Sequence, residues 1–97
     1  SELEKGYQAD LVRLVNWLEA NPNSNVEIIG HTDNVGSDNS NLILSSDRAK
    51  SVKSFLVTSQ IDAQRLTTSG KGSKEPISTN ESEEGRAENR RVEILIK

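Results

Sequence analysis

A short run, Val26-Glu27-Ile28-Ile29-Gly30-His31-Thr32, is β-branched and partly alternating, and stretches with helical spacing lie on both sides of it. Such a run reads as a strand at the centre of a sheet. Upstream, Leu3, Tyr7, Leu11, Leu14, Val15 and Leu18 recur at steps of three and four, which places one apolar stripe on a helix over 3–20. That helix should stop before Asn21-Pro22-Asn23, because a residue preceding proline avoids the α region. Downstream, residues 33–40 are polar, include a glycine and predict a loop. A second helix is expected from about Asn39 to Ser59, with Leu44 or Ser45, Arg48 or Ala49, Val52, Phe55 and Leu56 at helical steps. Asp38 or Asn39 can cap its start.

Ile61 to Leu66 reads as a tight connector, and Leu66-Thr67-Thr68-Ser69 as a second strand closed by Gly70-Lys71-Gly72. The unit from 26 to 69 is then strand, helix, strand, which calls for parallel pairing through a right-handed crossover. Residues 72–90 are rich in Ser, Glu and Asn and predict a long polar excursion, before a last strand over 91–96. The expected fold class is α/β, an α+β sandwich in which a small mixed sheet is packed by two main helices. With 97 residues and no internal repeat, the whole chain is one domain. A hydrophobic fraction of 32% with 3% aromatics leaves few apolar side chains to spare, so nearly every Leu, Ile and Val should be structural.

Composition also narrows the function classes. A net charge of −3 argues against general attraction to nucleic acid or an anionic membrane surface. No stretch approaches the roughly 18 apolar residues that span a bilayer. Ser1-Glu2-Leu3-Glu4-Lys5 lacks the apolar core of a signal peptide, so an export signal is expected to lie outside this sequence. The absence of cysteine removes disulfides and thiolate sites.

In an open α/β sheet, ligands bind beyond the carboxyl ends of the strands. Here that place is the loop opening with His31-Thr32-Asp33. Asn41 and Arg48 stand seven residues apart on the following helix. Two turns rotate through about 700°, so both side chains share one face, roughly 10 Å apart along the axis. If that face borders the loop, a carboxylate, an amide and a guanidinium surround one cleft. An acid beside a base suits a zwitterion: the carboxylate holds an ammonium and the guanidinium forks onto a carboxylate. Spacing leaves a second reading open, an Asp33–Arg48 ion pair that only pins the loop to the helix. A metal on His31 and Asp33 lacks further ligands, and His31 as a base for Ser45 or Ser46 lacks a nucleophile-elbow signature. Gly70-Lys71-Gly72 is an incomplete phosphate loop and reads as a turn. Arg86, Arg90 and Arg91 suggest an anion site, or a solvated helix end with i,i+4 pairs to Glu84 and Glu88.

The stretch Gly30-His31-Thr32-Asp33-Asn34-Val35-Gly36, followed by Asn41-Leu42-Ile43-Leu44-Ser45, Arg48-Ala49 and Val52, resembles the OmpA-like C-terminal domain. That family's pattern is G-H-T-D-x-x-G, four residues, then N-x-x-L-S-x-x-R-A-x-x-V. Arg65-Leu66, Gly70-Lys71-Gly72, Pro76, Asn80, Gly85-Arg86 and Asn89-Arg90-Arg91-Val92-Glu93 continue it in order and spacing, from about residue 10 to the end. The family also occurs in peptidoglycan-associated lipoproteins and flagellar-motor stators. The resemblance implies a non-enzymatic module, without cofactor or metal, that binds the peptidoglycan stem peptide non-covalently and anchors an envelope protein in the periplasm. It implies that Asp33 holds the ammonium of meso-diaminopimelate and Arg48 its carboxylate. Asn41 would contact the peptide or orient the loop, Arg90 would line the same cleft, and Thr32 and Asn34 would be neighbours in it.

The resemblance further implies a strand before the first helix, whereas this sequence starts at the helix. The expected βαβαβ-type fold therefore lacks its first strand, leaving a sheet edge through which two copies could pair. Membrane attachment would come only through other parts of a parent protein. The alternative function is a protein–protein interaction module in an envelope complex. A wall hydrolase is disfavoured, since no pair of carboxylates stands in a recognisable motif.

Overall fold

A computed structural model describes residues 5–97, with side chains from residue 10 onward. Leu3 and the Tyr7 side chain, both assigned to the first apolar stripe, lie outside the described residues. Helix α1 spans Lys5–Ala20 and turns Leu11, Val15 and Leu18 into the core. It ends where the proline requires. A carbonyl of its last turn and two of the loop after it are satisfied from a distance: Arg65 Nη2 donates to Leu18 O at 3.1 Å and to Asn21 O at 2.8 Å, and Arg65 Nε donates to Ser24 O at 2.9 Å. A cation at a helix C-terminus also complements the macrodipole.

Strand β1 covers Val26–Gly30, helix α2 Asp38–Thr58 and strand β2 Leu66–Gly70, the last preceded by a 3₁₀ turn over Ala63–Arg65. Helix α3, Glu83–Asn89, and strand β3, Val92–Ile96, complete the described elements. The sheet order is β2-β1-β3, so the Val26 strand is central as its sequence predicts. β1 pairs with β2 in parallel, Val26 opposite Leu66 and Gly30 opposite Gly70. It pairs with β3 antiparallel, Val26 opposite Ile96 and Gly30 opposite Val92. The mixed sheet with helices packed on it is the expected α/β class. Leu18, Val26, Ile28, Val52, Leu56 and Leu66 meet in one core, with Leu14, Phe55, Val92 and Ile94 partly buried against it.

Three boundaries differ from the sequence reading. β1 stops at Gly30 rather than Thr32, because His31 N–H bonds to Arg91 O and Thr32 N–H to Gly72 O, which are loop carbonyls. The α2 cap is Ser37, not Asp38 or Asn39: its Oγ accepts from Ser40 N at 3.1 Å. The polar excursion contains a helix, α3, capped by Ser82 Oγ accepting from Gly85 N at 3.0 Å.

Small residues let α2 lie directly on the carboxyl ends of β1 and β2. A Cβ on Gly30 would sit 1.9 Å from the Ser45 carbonyl oxygen, and one on Gly70 would sit 2.6 Å from Ser45 Oγ and Ser46 N. Ser45 is fully buried, donates to Leu42 O at 2.9 Å and accepts from Gly72 N at 2.9 Å. The helix therefore locks both the β1 loop and the turn after β2.

Candidate functional site

The segment His31-Thr32-Asp33 leaves β1 across this locked end and is buried throughout. Thr32 Oγ1 donates to Asp33 O at 2.8 Å, and Asp33 Oδ1 accepts from Val35 N at 3.0 Å. Both bonds fold the loop back on itself and fix the aspartate rotamer, while Asn34 beside it is exposed. The free oxygen, Oδ2, meets Arg90 Nη1 at 2.8 Å. Arg90 Nη2 in turn meets Glu83 Oε1 at 2.6 Å. Burial pushes the Asp33 carboxyl up, but the Arg90 hydrogen bond, the Val35 N–H and the Arg90 charge outweigh it and hold its pKa below the ordinary value. Bonds to Glu83 first, and then to Asp33, push Arg90 further up, and Arg90 holds Glu83 down.

The open alternative of an Asp33–Arg48 ion pair is not realised. Asp33 takes Arg90 instead, from 57 residues away in sequence. Arg48 Nη1 rests on His31 O at 3.3 Å, and among the described residues Arg48 has no carboxylate partner. The guanidinium is thus held at a carbonyl two residues before Asp33, with no ion pair among the described residues. Asn41 lies on the same buried side of α2 as Ser45 and Ala49; it is buried, and its Nδ2 has no hydrogen-bond partner. Thr32 and Arg90 join this region directly, so the loop, the α2 face and the α3 C-terminus converge at one end of the sheet.

The alternative of i,i+4 pairs between Arg86, Arg90 and Arg91 and the acids Glu84 and Glu88 is not realised among the described residues. Arg86 Nε lies 3.4 Å from Glu83 Oε2, and Arg91 Nη2 lies 2.7 Å from Glu93 Oε1. Gly70-Lys71-Gly72 is a turn, with Lys71 N donating to Gly30 O and Gly72 at φ +58°. His31 and Asp33 have different partners. His31 Nε2 lies 2.9 Å from Glu93 Oε1, an ion-pair distance, although neither ring nitrogen makes a well-angled hydrogen bond. Burial, then the Arg91 charge, lowers the His31 pKa against the opposing pull of Glu93.

Sequence reasoning missed Glu83 and the way Asn89 builds the platform beneath Arg90. Asn89 is fully buried; its Oδ1 accepts from Ile77 N and Ser78 N, and its Nδ2 donates to Ser78 O and Asn80 Oδ1. Gly85 lies so close to Thr79 O that a Cβ there would approach within 2.0 Å. A buried asparagine in a polar segment gives no periodic signal, so only its place in an ordered pattern marks it.

A three-stranded mixed sheet packed by helices, with an acid and two arginines near one end of it, defines a domain of the α/β class. The chain belongs to the OmpA family, which matches residues 1–90. It is 45% identical over 86 residues to the peptidoglycan-binding protein ArfA of Mycobacterium bovis, covering 89% of this chain and 26% of that protein. It superposes on the peptidoglycan-associated lipoprotein of Burkholderia pseudomallei with a TM-score of 0.94 at 26% identity, covering 99% of this chain and 81% of the other. The cell wall anchor of the T6SS from Pseudomonas aeruginosa gives a TM-score of 0.80 at 37% identity, over 96% of this chain and 67% of that one.

Proposed function

We propose that this domain binds the stem peptide of peptidoglycan without chemistry and anchors its parent protein to the cell wall from the periplasm. The observation that carries the reading is the division of charges at the sheet end: an ionised, loop-locked Asp33 beside an Arg48 that has no carboxylate of its own among the described residues. Similarity to ArfA, to a peptidoglycan-associated lipoprotein and to a cell wall anchor supports it.

The ligand end is a free amino acid centre of the diaminopimelate type. Its ammonium binds Asp33 Oδ2, in place of or beside Arg90, and its carboxylate takes the Arg48 fork. Asn41, with an N–H to spare, donates to the peptide or holds the loop around it. Thr32 fixes the loop backbone, and Asn34 reaches the ligand from the exposed side. Two charge-assisted contacts at roughly 1.5–3 kcal/mol each give about 3–6 kcal/mol, less the cost of ordering the peptide. Single-site dissociation constants therefore fall in the millimolar to micromolar range.

The test is an NMR titration with two soluble muropeptides that differ only at the third stem residue, diaminopimelate or lysine. The diaminopimelate form should shift Asp33-loop resonances, the lysine form should bind at least about tenfold more weakly, and Asp33→Ala or Arg48→Ala should weaken binding by about tenfold or more. Unchanged binding in both variants would refute the assignment.

A further inference from the structure

The oxygen assigned to the ligand's ammonium is already engaged within the domain. Asp33 Oδ2 is bound by Arg90 Nη1 at 2.8 Å, and Oδ1 is engaged by Val35 N–H. An incoming ammonium would share a carboxylate with a guanidinium of like charge, which is unfavourable unless Arg90 can be drawn off. Glu83 provides the means. Its Oε1 holds the other Arg90 amino group at 2.6 Å, and its Oε2 faces Arg86 Nε at 3.4 Å. Exposure rises along this series, from 10% at the Asp33 side chain through 34% at Arg90 to 67% at Glu83. The glutamate therefore pulls from the solvent side while the aspartate pulls from the buried side.

We propose that Glu83 sets the charge type of the ligand: it retains Arg90 by its outer amino group when an ammonium displaces Arg90 from Asp33, and so favours an amino acid end with a free amine over one whose amine is acylated. This rests on the reading that Asp33 receives the ligand's ammonium. The charge count supports it. Asp33 and Glu83 supply two carboxylates, Arg48 and Arg90 two guanidiniums, and Arg86 shares Glu83 while anchored on Asn80 O at 2.9 Å. Without Glu83, Asp33 would be the one carboxylate paired with Arg90 among the described residues. Arg90 would then bind Asp33 alone, and a carboxylate would enter more readily than an ammonium.

The experiment compares two muropeptides, one with the free amine and one N-acetylated at that amine, against the intact domain and Glu83→Gln. Glu83 is exposed at the start of α3, so the fold should survive, which the amide spectrum reports directly. The free-amine ligand should lose about two- to fivefold in affinity, the size expected of one exposed charge pair, while the acetylated ligand is unchanged or gains. An equal loss for both ligands, or no loss for either, overturns the role of Glu83. Asp33→Ala separates the two failures: if it leaves free-amine binding intact, the ammonium reading itself is wrong.

Discussion

Two buried side chains at the sheet end titrate in ways that can be read separately. The depressed pKa of Asp33 keeps its carboxylate ionised from neutral pH into mild acid, so ligand affinity should not fail until the pH drops below its ordinary 3.8. His31 is the only histidine in the chain, which makes its contribution isolable. Its folded-state pKa lies below the ordinary 6.5, so the unfolded chain takes up the proton first. Stability is then complete above pH 6.5 and declines as pH falls from there toward the folded value. Urea midpoints should drop between pH 7.5 and pH 5.5, and His31→Gln should flatten that slope. A midpoint rising toward acid would mean that the Glu93 contact prevails over burial. The candidate residues Asp33, Asn41, Arg48 and Arg90 were legible from an ordered motif, but not the pairing among them. Arg90 and Asp33 are 57 positions apart, and no local rule couples them.

At the level of elements, helical spacing located α1 and α2, which turn Leu11, Val15 and Leu18 and Ala49, Val52 and Leu56 inward, while β-branched runs located β1, β2 and β3. Spacing failed for α3. Glu83-Glu84-Gly85-Arg86-Ala87-Glu88-Asn89 has no apolar stripe, and the helix is held by the Ser82 cap, the Gly85 contact with Thr79 and the Asn89 network. Those are tertiary contacts, invisible to spacing. The α2 cap was misplaced by one residue because serine, aspartate and asparagine at 37–39 all suit the position, and only side-chain geometry selects Ser37. The close seating of α2 makes a direct prediction. Gly30→Ala places a methyl carbon against the Ser45 carbonyl, a backbone atom that cannot rotate away. Overpacking of this kind costs about 1–3 kcal/mol or more, and denaturant unfolding should show it. A loss under about 0.5 kcal/mol would mean that the helix shifts freely on the sheet.

For the molecule as a whole, a weak site is sufficient when the target is a polymer. A wall presents many copies of the ligand, and several anchored domains gain from effective concentration without new contacts. Retention on purified sacculi should therefore exceed what a soluble muropeptide predicts once domains are linked in tandem, and it should fall for Asp33→Ala in the same linked form. Equal retention of single and tandem domains would contradict that view. The structure gives such linkage a stable base, a small core under a three-stranded sheet.

The most direct test of opposite-charge recognition pairs a ligand change with a protein change. Amidating the muropeptide's terminal carboxylate should weaken binding to the intact domain by about as much as Arg48→Ala does, on the order of tenfold or more for a lost charged hydrogen bond. Applied together, the two changes should cost no more than either alone. If the Arg48→Ala domain still discriminates fully between acid and amide, the guanidinium does not hold that carboxylate.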